Sequence, residues 1–491
     1  MGQNIEQVSF NDEQFKTFKH IIREQLDTLK EIVQRPSFGQ GKLMFGAELE
    51  MYLIDHNGDI SLANQKLLNA LDDKQYQPEL NQYNLELNLS PVTLAGSPFS
   101  ALQQQMKNKT DELERVAEQL EINVLPIGIL PTLKKAHLNA DFMTDIPRYH
   151  CLANHLYQAR GDAFQINING DESLSLNLDD ISAEGANTSF QVHLMIPPEN
   201  FTAVYNAAQL TLPLVTAISA NSSIFLGKKL WDETRIALFK QSIDVRRPND
   251  TPWQEQPRVN FGFGWLHGCA WQLFSQAVCL FEPVIPAISN DNAPTALPAL
   301  KELSLHLGTT WPWHRPVYSN EGNGHIRLEF RAIPAGPTSV DMVANAAFAI
   351  GLATGIAKKV EAYTSVLPFQ YAEYNFYRAA QSGLDAKILW PLKHKYQVGE
   401  VQITDVIEKL LPIAKAGLLS LSIDEQDANK YLNVISQRLT ANITGATWQK
   451  QTFSHLLKSC DRDQACHQLT LLYLKNCRTC LPVSQWEQIW R

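Results

Sequence analysis

G-N-G-H-I-R-L-E-F-R-A-I-P-A-G-P-T-S-V-D occupies residues 322–341, and within it Arg327-Leu328-Glu329-Phe330-Arg331 alternates strictly between charged and apolar. Alternate side chains of a strand point to opposite faces. The pattern therefore predicts a strand with Arg327, Glu329 and Arg331 on one face and Leu328 and Phe330 on the other. A plus–minus–plus row is costly to bury without partners. On a sheet face, such a row meets charged ligands, metal ions or charged neighbouring strands.

Three further segments have the same habit. Residues 43–55 read as a strand closed by the turn at 56–59, with Glu48 and Glu50 two apart. Residues 81–89 put Asn84, Glu86 and Asn88 on one face and Leu85, Leu87 and Leu89 on the other, with Glu79 just ahead. Residues 189–196 put Gln191 and His193 on a common face. Alternation alone marks any antiparallel sheet with one wet face. These rows, however, hold acids, amides, one histidine and two arginines, and no lysine. Two carboxylates roughly 6–7 Å apart on one strand face repel each other, and a divalent cation between them removes that repulsion.

Carboxylates joined by His or Gln form a hard-metal site suited to magnesium, with manganese an alternative. Magnesium commonly co-binds phosphate, which points to a nucleoside triphosphate. Arginines on the same face would meet its phosphate or a substrate carboxylate through two parallel hydrogen bonds. The chain has no G-x-x-x-x-G-K-[ST] loop and no G-x-G-x-x-G after a strand, so phosphoryl chemistry would rest on metals and arginines.

The remainder bounds this reading. The 491 residues suit two to three domains, or one large domain with attachments. With 44% hydrophobic and 19% charged residues, the chain can bury a substantial core. A net charge of −9 argues against nucleic acid as a main partner. The N-terminus matches neither a signal peptide nor a myristoylation signal. The longest apolar run, 343–357, reads as too short to span a bilayer, so no membrane partner and a cytoplasmic location are expected. Seven cysteines suit a reducing compartment. Cys460, Cys466, Cys477 and Cys480 cluster near the end, but their spacing fits no common zinc pattern.

Helical spacing predicts helices over 11–35, 98–121, 201–223 and 232–243, the last exposing Arg235, with a short helix ending at Arg160. Residues 124–130 read as a return to the sheet. Residues 164–169 and 189–196 read as the strands of a hairpin, 245–300 as an irregular lobe, and 343–360 with most of 366–491 as helical. The organisation expected is an N-terminal helix (1–40), a mixed catalytic part (41–360) and a helical C-terminal region (361–491).

The motifs also carry a resemblance. They are G-A-E-L-E at 46–50, Glu79 with L-E-L-N at 85–88, R-Y at 148–149 and S-F-Q-V-H at 189–193. Further along come A-N-S-S-I-F-L-G-K at 220–228 with Arg235, T-T-W-P-W-H-R-P at 309–316, and I-R-L-E-F-R-A-I-P at 326–334. In this order they resemble the glutamate–cysteine ligase family of carboxylate–amine ligases, in the glutamine synthetase superfamily. The resemblance implies an α+β fold: a glutamine synthetase-like curved antiparallel sheet with flanking helices and a helical C-terminal region, holding Mg2+ and ATP on its concave face.

It also implies roles for residues. Glu48, Glu50, Glu86 and Glu329 match the metal-binding glutamates, Glu79 sits where relatives often supply another acid, and Gln191 and His193 are both candidates for metal or ATP. Arg331 matches the arginine at the transferring phosphate, Arg235 a phosphate or substrate arginine, and Arg148 with Tyr149 a substrate segment. Arg315 and Arg327 are further candidates for ATP or substrate. The implied reaction joins glutamate, through an acyl phosphate, to an amine, most often cysteine, with small molecules as partners and a monomer or homodimer as the assembly. A different amine, a guanidino phosphotransferase or a non-catalytic relative are the alternatives. The retained glutamates favour a metal-dependent ligase.

Overall fold

The computed structural model describes residues 5, 7–247, 255–289, 297–392 and 397–491. Its sheet is built around the opening stretch. His325–Phe330 pairs antiparallel with His314–Ser319 on one side and Phe190–Met195 on the other. The sheet continues through Met44–Ile54 and Asn84–Asn88 to Tyr76–Pro78, all antiparallel, with Val92–Thr93 and Asn123–Leu125 also pairing to Met44–Ile54. The alternation seen in the sequence sets the register. Glu329 stands opposite His193 and Arg315, Glu48 opposite Gln191, and Glu50 opposite Glu86. A slip of one residue would turn every one of these side chains to the far face.

The far face is apolar: Leu49, Met51, Leu85, Leu87, Val192, Leu194, Leu328 and Phe330 are all buried. Helices Pro98–Gln119 and Ser339–Ala357 pack on this side of the molecule, the second also against Phe201–Ser219 and Ile403–Ser420. Gly351, Gly355 and Gly417 let the Ser339–Ala357 and Ile403–Ser420 helices touch backbone to backbone, where an added Cβ would strike a carbonyl or amide. Side chains from the N-terminal helix Asp12–Ile32 through to the C-terminal helices share this core.

Several expectations are corrected. Phe164–Asn169 pairs with Ser173–Leu178 across the turn at 170–172, not with 189–196, which is a central strand of the main sheet. Both hairpin strands alternate between buried and exposed residues, as an isolated ribbon with one wet face does, whereas Phe190–Met195 is buried throughout. The helical tail contains a hairpin, Lys387–Pro391 with Val398–Gln402. Of the 124–130 run, only Val124 and Leu125 are strand. Trp271–Leu280 forms a helix within the lobe at 245–300, of which 248–254 and 290–296 lie outside the described residues. Pro198–Ser219 and Ser339–Ala357 are, by length and composition, long and apolar enough to cross a membrane, but 89% and 83% of their apolar windows are buried inside the fold. The four C-terminal cysteines are free thiols and belong to no metal-competent cluster among the described residues.

Candidate active site

The polar face of the sheet gathers two clusters. Glu48, His193 and Glu329 form one, and Glu50, Glu79 and Glu86 the other; within each, one ligand atom per residue lies within 4.8 Å of the others. His193 Nε2 is 3.1 Å from Glu48 Oε1 and 3.8 Å from Glu329 Oε1, yet neither ring nitrogen makes a hydrogen bond of ordinary geometry, although the ring is buried. Orphaned nitrogens and converging carboxylate oxygens are what a shared cation would satisfy. The donor sets, two carboxylates plus imidazole and three carboxylates, fit Mg2+ or Mn2+.

Electrostatics separates the clusters. Burial alone would raise the Glu48 carboxyl, but the adjacent His193 outweighs it and brings the value down to about 2. Burial acts likewise on Glu329, and Arg315 and Arg331 overcome it, holding that carboxyl well below the usual range. In the second cluster, burial and then Glu86 push Glu50 up to about 7, while burial and then Glu50 push Glu79 well above its ordinary value. Glu86 is raised too, chiefly by burial. The carboxyls of the first cluster are held ionised, whereas those of the second are pushed toward their protonated forms.

Gln191 connects them. Its Nε2 donates to Glu50 Oε1 at 2.8 Å and its Oε1 accepts from Arg331 Nη1 at 2.6 Å, while Arg331 Nη1 also reaches Glu329 Oε1 at 3.0 Å. The Ser189 backbone N–H donates to Glu50 Oε2 at 2.7 Å. Gln191 therefore orients residues of both clusters, and His193 is the residue of that strand within a cluster.

A cleft opens on each side. One, of about 220 Å³, is lined by Glu48, His193, Glu329, Arg148, Arg315 and Arg327. The other is a narrow crevice lined by Glu50, Glu79, Asn84, Glu184, Arg235 and Arg331, with Trp313 at its wall. Trp313 also packs on Phe239 and Phe376, so it serves core and cleft together. Tyr149 Oη donates to the Pro78 carbonyl at 3.0 Å, which holds helix Pro147–Arg160 beside Glu79. Arg235, expected to be exposed, is 2% exposed and donates to Glu233 Oε1 at 3.0 Å and to the Ala332 carbonyl. The Thr234–Ser242 helix is buried along most of its length, so the periodicity had no wet side to mark. Glu184, Asn187 and Glu233 were missed. Glu184 and Asn187 sit in a turn with no periodic pattern, and the one available signal was an isolated acid in the small-residue segment S-A-E-G-A-N just ahead of the His193 strand.

Residues 44–259 match the sequence profile of glutamate-cysteine ligase family 2. The chain resembles the glutamate–cysteine ligases. The matched region supplies Glu48, Glu50, Glu79, Glu86, Gln191, His193 and Arg235, while Glu329 lies beyond it and joins by strand pairing, with Arg331 just past the strand's end. A crystal structure of the Francisella tularensis glutamate–cysteine ligase in complex with AMP superposes with a TM-score of 0.55, at 11% identity, over 90% of each chain. The two share a glutamine synthetase-like fold. A bifunctional glutathione synthetase from Pasteurella multocida aligns with a TM-score of 0.44 and 12% identity, over 94% of this chain and 55% of that one. No curated protein matches the sequence.

Proposed function

We propose that the protein is an ATP- and Mg2+-dependent carboxylate–amine ligase that forms an amide through an acyl phosphate, with L-glutamate as the acid and L-cysteine as the amine. The observation that carries this reading is the pair of metal-competent clusters on one sheet face, bridged by Gln191 and Arg331. When bound there, Mg2+ supplies charge neutralisation at the transferring phosphate.

The chain's own residues do the rest. Glu48, His193 and Glu329 hold cation on the side where Arg148, Arg315 and Arg327 line the cleft, a cationic wall suited to a polyphosphate. Arg331, between the clusters, donates to the phosphoryl oxygens as the γ-phosphoryl group leaves ADP for the acid's carboxylate. Burial lowers Arg331's basicity, but Glu329, Glu50 and Glu48 more than restore it, so it stays charged throughout. Arg235 offers its unpartnered Nε to a substrate carboxylate in the Glu50 cleft. The amine's lone pair then attacks the acyl carbon, the acyl–O bond to phosphate breaks, and the nitrogen's proton leaves to phosphate or solvent.

The test is purified protein with ATP, Mg2+ and glutamate against a panel of amines, read by the mass of the amide. A new amide with stoichiometric phosphate is expected, and the amine giving it identifies the acceptor. Phosphate release with no amide would overturn the ligase reading.

A further inference from the structure

The A-N-S-S segment at 220–223 belongs to neither cluster, yet Asn221 within it is buried and engages every polar atom it has. Its Nδ2 donates to the Ala335 carbonyl and to Tyr473 Oη, each at 2.7 Å, and its Oδ1 accepts from Gln449 Nε2 at 2.8 Å. Gln449 Nε2 also donates to the Asn221 carbonyl at 3.1 Å, and Tyr473 Oη to the Pro126 carbonyl at 3.1 Å. Tyr473 and Gln449 come from the C-terminal helices Arg462–Cys477 and Gly445–Leu456. A Cβ at Gly445 would strike Asn221 Oδ1, so only glycine lets that helix begin so close. The Asn221 backbone N–H donates to Glu233 Oε2 at 2.9 Å, and Glu233 Oε1 accepts from Arg235 Nη1 at 3.0 Å. Ser222 and Glu233 lie side by side as a parallel bridge, and Ser222 Oγ accepts the Arg235 backbone N–H at 3.2 Å.

We infer that Glu233 is a positioning residue: it aims the Arg235 guanidinium into the Glu50 cleft, and Asn221 carries support to it from the C-terminal helices. This rests on the ligase reading above, in which Arg235 meets the acid's carboxylate. The two oxygens of Glu233 are divided, Oε2 on Asn221 and Oε1 on the guanidinium. Glu233 and the Ala332 carbonyl both take Arg235 through Nη1, while Nε has no hydrogen bond, and the side chain lines the cleft. A guanidinium is a rigid planar fork, so two acceptors on one nitrogen fix the plane in which its other donors meet a carboxylate. Glu233 also gives the buried arginine its counter-charge. An ion pair that merely joined two elements would end on the scaffold. This one ends on a side chain of the cleft. The C-terminal helices, which supply no member of either cluster, thereby set the geometry of the acid site.

The test is steady-state amide formation with glutamate varied at saturating ATP and amine, on full-length wild type, Glu233→Gln, Arg235→Gln and the double variant. Glu233→Gln is expected to raise KM for glutamate about 10–100-fold, the worth of a charge-assisted hydrogen bond, with kcat and KM for ATP within about threefold of wild type. In the Arg235→Gln background the same change should raise KM no further, because no guanidinium is left to aim. Tyr473→Phe removes one hydroxyl from the Asn221 network and should raise KM about 2–10-fold in wild type, but not in Arg235→Gln. Additive effects of Glu233→Gln and Arg235→Gln show a structural role only and overturn the assignment. So does a Glu233→Gln protein that loses kcat and ATP affinity with its KM for glutamate unmoved. Should Glu233→Gln not fold, Tyr473→Phe decides: a KM unmoved, or raised equally in Arg235→Gln, overturns it. Calorimetric titration with glutamate, in Mg2+ and a non-hydrolysable ATP analogue, reads the same pattern in Kd without turnover. A wild type that binds glutamate but forms no amide removes the ligase reading and leaves the positioning to be read from Kd. A wild type that forms the amide while no variant moves KM overturns the positioning alone, and one that does neither overturns both.

Discussion

Arg315 and Glu329 stand opposite each other on neighbouring strands and meet at two points, Nε to Oε2 at 2.5 Å and Nη2 to Oε1 at 3.0 Å. Glu329 is 0% exposed, so this pairing, with Arg331 as a third contact, keeps a carboxylate charged where desolvation would otherwise neutralise it.

Glu329→Gln keeps the shape and removes the charge. It should abolish ATP-dependent amide formation and leave two guanidiniums without their buried counter-ion, at a cost of about 3–5 kcal/mol in folding stability. Arg315→Lys keeps a charge but not the two-point geometry, and should lose less on both measures. Turnover and urea melts of the two variants check this, and near-normal turnover by Glu329→Gln would remove the residue from the mechanism.

The second cluster makes cation dependence sensitive to pH. Burial and Glu86 raise Glu50 from 4.5 to about 7, so between those values the folded chain holds a proton that the unfolded chain has released. Without cation, stability therefore declines as pH rises through about 7. Cation binding needs the ionised carboxylates, so the stabilisation from added Mg2+ should grow over the same window. Thermal melts with and without Mg2+ at pH 6 and pH 8 measure it. A gain no larger at pH 8 counts against a carboxylate site, and a Glu50→Gln, Glu86→Gln double variant should show little gain at either pH.

Gln191 and His193 are separable by experiment. His193 has orphaned nitrogens inside a cluster, whereas both amide atoms of Gln191 are engaged with Glu50 and Arg331. His193→Ala should weaken Mn2+ binding about 10–100-fold, while Gln191→Ala should show its loss mainly in turnover, through a misaligned Arg331. Mn2+ titration by electron paramagnetic resonance distinguishes them, and equal Mn2+ affinities in the two variants would contradict the assignment.

What could be read beforehand followed from periodicity. The charged rows at period two are the sheet's polar face, and their register follows once Leu49, Leu87, Val192 and Leu328 must share the other face. Where local chemistry competed, the reading failed. The turn at 170–172 closes a hairpin that looked long-range. Lys387–Pro391 hides a strand ahead of Pro391 in an otherwise helical region. Arg235 sits on a helix buried on nearly all sides, and Glu184 in a turn, where neither period applies.

A buried network crosses the boundary expected near 360. Asp341, 0% exposed, accepts from Arg438 Nη2 at 2.8 Å, Thr338 Oγ1 at 2.7 Å and the Val483 N–H at 3.0 Å. Arg438, 1% exposed, also donates to Asn345 Oδ1 at 2.6 Å and the Ile218 carbonyl at 3.1 Å. This network ties the C-terminal region to the helix that follows the Glu329 strand within about a dozen residues. Asp341→Asn strands a buried guanidinium and should cost about 3–5 kcal/mol, whereas replacing both partners with apolar residues should cost less than either single change. A fragment ending at 360 would expose the Ser339–Ala357 face that packs on Ile403–Ser420 and leave Asp341 without Arg438. It should not yield a cooperatively melting protein. Calorimetry on the single and double variants and on the fragment measures this, and a fragment that melts cooperatively at the temperature of the full chain would show the C-terminal helices to be a separate unit.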